Sequence, residues 1–315
     1  MSDIKFEANN STGIILALLT AFLWGTIPLA LVYCLVYLDG VTITWFRFTM
    51  AAIVCFIWQL RRGQLNEFSR LTLKDWGILT LAGIFLILDY VAYTMALNYI
   101  SPIATTIFSQ ATPFFLCIGG IIVFKERLNF IQILSFTVLF LGLILFFNDS
   151  LASAISDQEM LVIGVVITVF ASLIWVFYAL LQKSLFTKLS TTNILLFIYG
   201  FAIISLAPFS ELSHFNHING YVWIVLIFCA LNTIIGYWAF TESMRHIDTT
   251  KISTIIATIP LITIAASYLS FMIWPKYIKF EQINLLGWVG IFMVVISVII
   301  FNHQSKPTQK ENMIS

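Results

Sequence analysis

Along most of this chain apolar residues neither alternate nor recur on one helical face. They run almost unbroken until a short polar stretch interrupts them. Each run lasts about 20 residues, the length of helix that crosses roughly 30 Å of hydrocarbon. Ten such runs are predicted as helices, near 13–37, 41–60, 76–97, 102–124, 130–147, 161–181, 190–208, 220–241, 251–273 and 284–301. Barrel strands are excluded, because they are about 10 residues long with alternating polarity. The longer polar interruptions are RRGQLNEFSRLTLK, NDSLASAISDQEM and FSELSHFNHING.

Composition agrees with that pattern. Sixty per cent of the 315 residues are hydrophobic, 10% are charged, and the mean hydropathy is +0.97. A water-soluble domain carries about 25% charged residues, so this chain has too little polar surface to be wetted all round. Lys and Arg then test the run count. Placing the N-terminus in the cytoplasm puts thirteen of the sixteen basic residues on the inner side. Lys276 and Lys279 lie outside, and Arg47 falls within the second run. A miscounted run would scramble this positive-inside bias. Both termini are therefore expected in the cytoplasm, with 302–315 a short tail. The acidic start MSDIKFEANNSTG is unlike a signal peptide, so the first run is expected to be retained.

An odd number of passes per half means that two repeated halves, 13–147 and 161–301, would enter the membrane from opposite sides. The predicted fold is an all-α polytopic membrane protein, ten transmembrane helices as a 5+5 inverted repeat around a central cavity. Such repeats bind solute near the midplane between halves. A gapless alignment of 89–113 on 236–260 matches Tyr90 with Tyr237, Ala92 with Ala239, Thr94 with Thr241, Ile100 with Ile247 and Pro113 with Pro260. FLWG and LIWV place Trp24 and Trp175 at corresponding points of the first run of each half.

Several stretches together carry a family likeness: AFLWGTIPLA in the first run, TWFRF opening the second, ALNYISPIATTIFSQATPFF joining the third and fourth, and FKERL after the fourth. Over about 13–301 the chain resembles EamA-type carriers of the drug/metabolite transporter superfamily. The resemblance implies an alternating-access transporter in a bacterial inner membrane, exporting amino acids or related small metabolites. Glu126 has no clean counterpart in the second half, where WPKYIKFEQ offers Lys276 or Glu281.

Polar residues inside apolar runs are costly and so mark the candidate site. Asp89 and Arg47 lie at similar depth on adjacent antiparallel runs. Two readings are open: Asp89 carries a proton or meets a solute ammonium, or the two form a static ion pair. Tyr93, one helical turn from Asp89, joins Trp24, Phe108, Trp175 and Tyr178 as aromatic lining suited to a cationic or amphipathic solute. Gln110 and Asn232 are uncharged candidates, each with interhelical packing as the plainer alternative. Pro113 and Pro260 each remove a backbone donor and are read as paired hinges. Trp45, Trp58, Trp76, Trp223, Trp238, Trp274 and Trp288 fall near run ends, where indoles favour the headgroup boundary. Glu242, Arg245 and the Lys125–Glu126–Arg127 triplet are read as interfacial charges at inner ends.

Cys34, Cys55, Cys117 and Cys229 sit in apolar runs without CxxC spacing and read as buried thiols. His214 and His217 stand isolated, so no metal site is expected. No phosphate-cradling loop, nucleophile elbow, HExxH or dinucleotide fingerprint occurs, so no cofactor and no enzymatic activity is expected. A channel would need pore rings or filter repeats. A lipid-active enzyme would need clustered His, Asp or Glu within the spans. The reading is a secondary carrier for a small solute, with a quaternary ammonium such as choline as the alternative substrate. A proton is a candidate co-substrate and a second copy a candidate partner through the nearly polar-free fifth and tenth runs. The bilayer is the surroundings, and nothing suits nucleic acid.

Overall fold

A computed structural model describes residues 9–124, 129–146, 148, 158–273 and 283–304. Trp274, Lys276, Lys279, Glu281, the Lys125–Glu126–Arg127 triplet and the tail beyond 304 lie outside the described residues. The first two helices are α1 (Asn10–Leu35) and α2 (Gly40–Arg62). They are followed by α3 (Leu73–Ala96), α4 (Pro102–Phe108), α5 (Ala111–Phe124) and α6 (Phe130–Phe146). The second half contains α7 (Gln158–Ser184), α8 (Thr191–Leu206), α9 (Gly220–His246), α10 (Thr249–Ile256), α11 (Ile259–Ile273) and α12 (Leu285–Gln304). Short 3₁₀ helices at Leu65–Arg70 and Leu212–His217 follow α2 and α8. Among the described residues the regular structure is helical. Among the described residues seven stretches are long and apolar enough to cross a bilayer, and Phe130–Phe146 and Leu285–Phe301 are shorter apolar helices.

Local polar residues set the helix starts. Asn9 accepts from the Ser11 and Thr12 amides at 3.0 and 3.2 Å. Asp39 does the same for Val41 and Thr42, at 2.9 Å each. Thr72 and Asp75 form a reciprocal capping box on α3, and Asn129 with Gln132 exchange a similar pair of bonds at α6. Each cap satisfies amide donors that the first helical turn leaves without partners. At the other end of α2, Gly63 takes φ +63°, the left-handed stop that glycine adopts without a Cβ clash.

The fourth and ninth runs are each broken. The chain turns at Ser109–Gln110 between α4 and α5, and at Ala257–Thr258 between α10 and α11. Proline has no N–H for the carbonyl four residues back, and its ring crowds that carbonyl. For Pro113 that partner is Ser109, and for Pro260 it is Ile256. The breaks therefore fall one turn before the prolines, which lie in the first turns of α5 and α11. Shorter bonds close the turns, Thr112 N to Ser109 O at 2.9 Å and Thr258 N to Ile255 O at 3.0 Å.

The main helix contacts cross between the halves: α1 packs on α9, α3 on α7, α2 on α8, and α6 on α12. The last pair approaches backbone to backbone. A methyl on Gly290 would collide with the Gly142 carbonyl and the Phe146 main chain. The fifth and tenth runs thus use one face for each other, while Ile131, Leu134, Phe140, Leu286, Val289 and Phe292 stay exposed on the other. Large apolar side chains on outer helix faces suit a lipid surround rather than water. Trp58, Trp238 and Trp288 are among the exposed residues. Trp45, Trp76 and Trp223 instead find protein partners: the Ile203 carbonyl at 3.2 Å, Phe68 and Phe215.

Candidate functional site

A cavity of about 110 Å³ lies between the two halves. On the α1 side it is bounded by Trp24, Ile27 and Leu31, which share one helical face. Arg47 comes from α2, and Asp89, Tyr90, Tyr93 and Thr94 come from α3. The α4–α5 break supplies Thr106, Ser109, Gln110 and Thr112. From the second half come Ser172 and Trp175 on α7, Tyr237 on α9, and Ile256 and Ile259 at the other break. A helix rises 1.5 Å per residue, so Arg47 and Asp89 each sit about 10 Å from the ends of α2 and α3 nearest Asp39. The cavity is accordingly off-centre, closer to the Asp39 end.

Arg47 and Asp89 share the cavity but are not a contact ion pair. The Arg47 Nε donates to Thr233 Oγ1 at 2.9 Å, and its guanidinium carbon lies 4.5 Å from the Tyr90 ring centre. Asp89 is buried and lies within the field of Arg47, but among the described residues it accepts no hydrogen bond. The static pair considered from sequence is thus replaced by an arginine held by α9 and an acid facing the cavity. Neighbouring orphans have the same character. The Trp24 Nε1 donor and the Gln110 Oε1 acceptor are buried without partners, although Gln110 Nε2 donates to the Thr106 carbonyl at 3.1 Å.

The aromatic residues form one connected wall. Trp24 meets Trp175 edge-on at 5.5 Å and Tyr237 at 5.0 Å, and Trp175 Nε1 donates to Tyr237 Oη at 3.3 Å. Away from Asp39 the wall thickens into a plug. There Phe48 touches Tyr90 at 4.5 Å and Tyr199 at 5.3 Å, and Phe240 lies against Trp24 and Trp175 at 5.3 and 4.8 Å.

Beyond the plug the halves are joined by polar contacts. Lys188 Nζ reaches both Asp75 oxygens at 2.8 and 2.7 Å. Glu67 Oε2 accepts from Ser190 N and Asn193 Nδ2, each at 2.7 Å. Arg245 is partly buried and lies 3.7 Å from Glu242; it donates to Thr191 Oγ1 at 2.8 Å and to the Phe186 carbonyl at 3.1 Å, closing the α7–α8 turn onto α9.

Of the residues singled out from sequence, Trp24, Arg47, Asp89, Tyr93, Gln110 and Trp175 meet at the cavity. Phe108 packs instead against the cluster around Leu139, Leu143 and Val294. Tyr178 is fully buried behind Trp175, 6.2 Å away. Asn232 ties α9 to α1 by donating to the Leu23 carbonyl at 2.5 Å, the packing alternative for that residue. Tyr90 and Tyr237 were not singled out, yet both line the cavity and touch at 5.2 Å. Their match between halves was the signal that could have found them.

The sequence profile of the EamA-like transporter family matches residues 11–148 and again 162–303. An uncharacterized transporter of Haemophilus influenzae is 32% identical over 288 residues, covering 91% of this chain and 94% of its own length. The uncharacterized inner membrane transporter YhbE of Escherichia coli is 32% identical over 286 residues, covering 90% of this chain and 88% of its own. A solved crystal structure superposes with a TM-score of 0.70 at 16% identity over 93% of this chain and 98% of its own, a likeness of fold. The chain belongs to the EamA-like transporter family.

Proposed function

We propose that this membrane transporter is a ten-pass secondary carrier that exports a small zwitterionic, amphipathic solute of the amino acid class by alternating access. The observation that carries the reading is the cavity itself. Arg47 and Asp89 offer opposite charges without neutralising each other, beside the Trp24–Trp175–Tyr237 wall. A solute bearing carboxylate and ammonium groups satisfies both charges, and its apolar part rests on the aromatic rings. A quaternary ammonium would use the aromatic wall and Asp89 but would face Arg47 unpaired.

The inverted 5+5 arrangement is supported by the contact pattern. Moving every helix five passes along exchanges α1–α9 with α7–α3, and α5–α7 with α11–α1, and returns α2–α8 and α6–α12 to themselves. The family profile also matches twice, once per half. Loop charges support a cytoplasmic Lys188 end. On that orientation the cavity lies toward the outside, and the aromatic plug and polar contacts close the inside. That is one half of an alternating cycle, and a sealed end argues against an open channel.

The test is uptake of labelled amino acids and of choline into proteoliposomes, with and without a pH gradient. Saturable amino acid transport that unlabelled choline leaves unaffected is the expected result. Choline transport without amino acid transport would overturn the substrate class, and stimulation by the gradient would assign a proton to the cycle. Wild-type vesicles impermeable to both solutes would sink this reading.

A further inference from the structure

We propose that the Asp39 end carries a divalent transition-metal site, formed by Asp39, Glu211 and His214 and suited to Zn²⁺. The sequence separates these residues by as many as 175 positions, and His214 read there as isolated. In the fold one ligand atom from each lies within 4.8 Å of the other two. His214 Nε2 and Glu211 Oε2 are 3.0 Å apart. Zinc bonds nitrogen and carboxylate oxygen at about 2.0–2.2 Å in a tetrahedron, which sets ligand atoms a little over 3 Å apart. The His214–Glu211 pair already has that spacing, side-chain adjustment would draw the set, now within 4.8 Å, onto an ion, and water would complete it.

Two independent features point to a missing partner. Asp39 uses Oδ1 to cap α2, and its Oδ2 is buried without a hydrogen bond; His214 Nδ1 is likewise buried and unpartnered. Buried polar atoms normally have partners, and a carboxylate oxygen left without one on a residue that contributes to this cluster calls for a ligand. The two carboxylates also meet without a Lys or Arg ion pair among the described residues, so a cation is the electrostatically favoured occupant.

The frame is rigid where a metal site needs it to be. Phe215, next to His214, packs between Phe46 and Trp223 at 5.7 and 5.5 Å, fixing the 3₁₀ helix on α2 and α9. Thr42 Oγ1 accepts from the Glu211 amide at 2.8 Å. The backbones that carry His214 and Glu211 are thereby held and Asp39 is fixed by the α2 cap, which leaves the exposed Glu211 side chain to admit the ion. A bound ion would link the start of α2 in one half to the segment after α8 in the other.

The experiment is calorimetric titration of Zn²⁺ into the full chain, purified in detergent, stripped of metal and freed of any histidine tag. One site per chain is expected, weakened at least about tenfold in both Asp39→Asn and His214→Gln and retained in His217→Gln. Asparagine keeps the α2 cap, and a wild-type elution profile for each variant establishes that it is folded. Zn²⁺ should also raise the melting temperature of the wild type but not of His214→Gln. No saturable Zn²⁺ binding by the wild type, or binding equally tight in both variants, would overturn the site.

Discussion

At the start of α8, Ser190 caps the helix, and the preceding 3₁₀ helix at Leu65–Arg70 brings Glu67 to its amide and to Asn193. At the start of α2, Asp39 caps the helix, and the 3₁₀ helix at Leu212–His217 brings His214 and Glu211 to it. The two joints have the same construction at opposite ends of the molecule, yet their chemistry differs. At the Lys188 joint each acid has a cation or an amide, so its charges are answered within the protein, and the atom left buried without a partner is a neutral amide oxygen, Asn193 Oδ1. At the Asp39 joint Asp39 Oδ2 and His214 Nδ1 are buried unbonded, while exposed Glu211 pairs with His214 Nε2 at 3.0 Å, so the contact is completed from outside. Shared architecture thus fixes where the halves meet, while side chains decide whether that meeting is self-sufficient.

The largest effects are expected between the joints, at the cavity. Arg47→Met removes a charged donor that a solute carboxylate would use, a contact that contributes about 1.5–3 kcal/mol, or roughly 10–100-fold in apparent affinity. Asp89→Asn should cut transport as strongly while leaving the melting temperature near wild type, because Asp89 accepts no hydrogen bond among the described residues. Unchanged uptake in Asp89→Asn, measured in the same vesicles, would return the acid to a purely structural role.

Arg245→Met acts on stability instead, on a comparable scale. It strips donors from the Phe186 and Leu189 carbonyls and removes the cation 3.7 Å from Glu242. Unpairing a largely buried charge network costs about 3 kcal/mol. Thermal unfolding in detergent should show a clear drop, larger than for any single substitution at the Asp39 joint. Equal drops at both joints would erase the contrast.

Much of this was legible in the sequence, for definite reasons. Runs of bilayer length announce themselves, and Pro113 and Pro260 mark the broken helices because a missing N–H acts locally. The shared depth of Arg47 and Asp89 follows from counting along adjacent helices. Their failure to pair does not, because Thr233 on α9 and the Tyr90 ring compete for the guanidinium. Phe108 and Tyr178 show the same limit: aromatic residues are frequent here, and only packing decides which face the cavity. The Asp39–Glu211–His214 cluster had no sequence signal, since its members lie in separate loops with no periodicity to join them. The family likeness, by contrast, pointed correctly to a transporter.

Lys188→Met should have a smaller effect on stability, about 1 kcal/mol or less, because Lys188 is 43% exposed and water screens the pair. Its informative readout is conformational. One kcal/mol changes a two-state ratio about fivefold. Buried Cys55, in the half of α2 toward this joint, should then react faster with a thiol reagent by up to that factor. An unchanged rate would mean that Lys188–Asp75 does not hold the halves closed.

Effects as small belong to the Asp39 joint in metal-free solution, the smallest to Asp39→Asn. Asp39→Ala loses the two capping bonds to Val41 and Thr42, a cost of about 1 kcal/mol, whereas Asp39→Asn keeps the cap. Asparagine also removes one of two neighbouring carboxylate charges, so its melting temperature should equal or slightly exceed that of the wild type. The pair of variants separates two roles of one residue: the cap depends on an oxygen, and the ion site on its charge. If Asp39→Asn were as destabilised as Asp39→Ala without metal, the charge would already be satisfied within the protein, and the two joints would be alike after all.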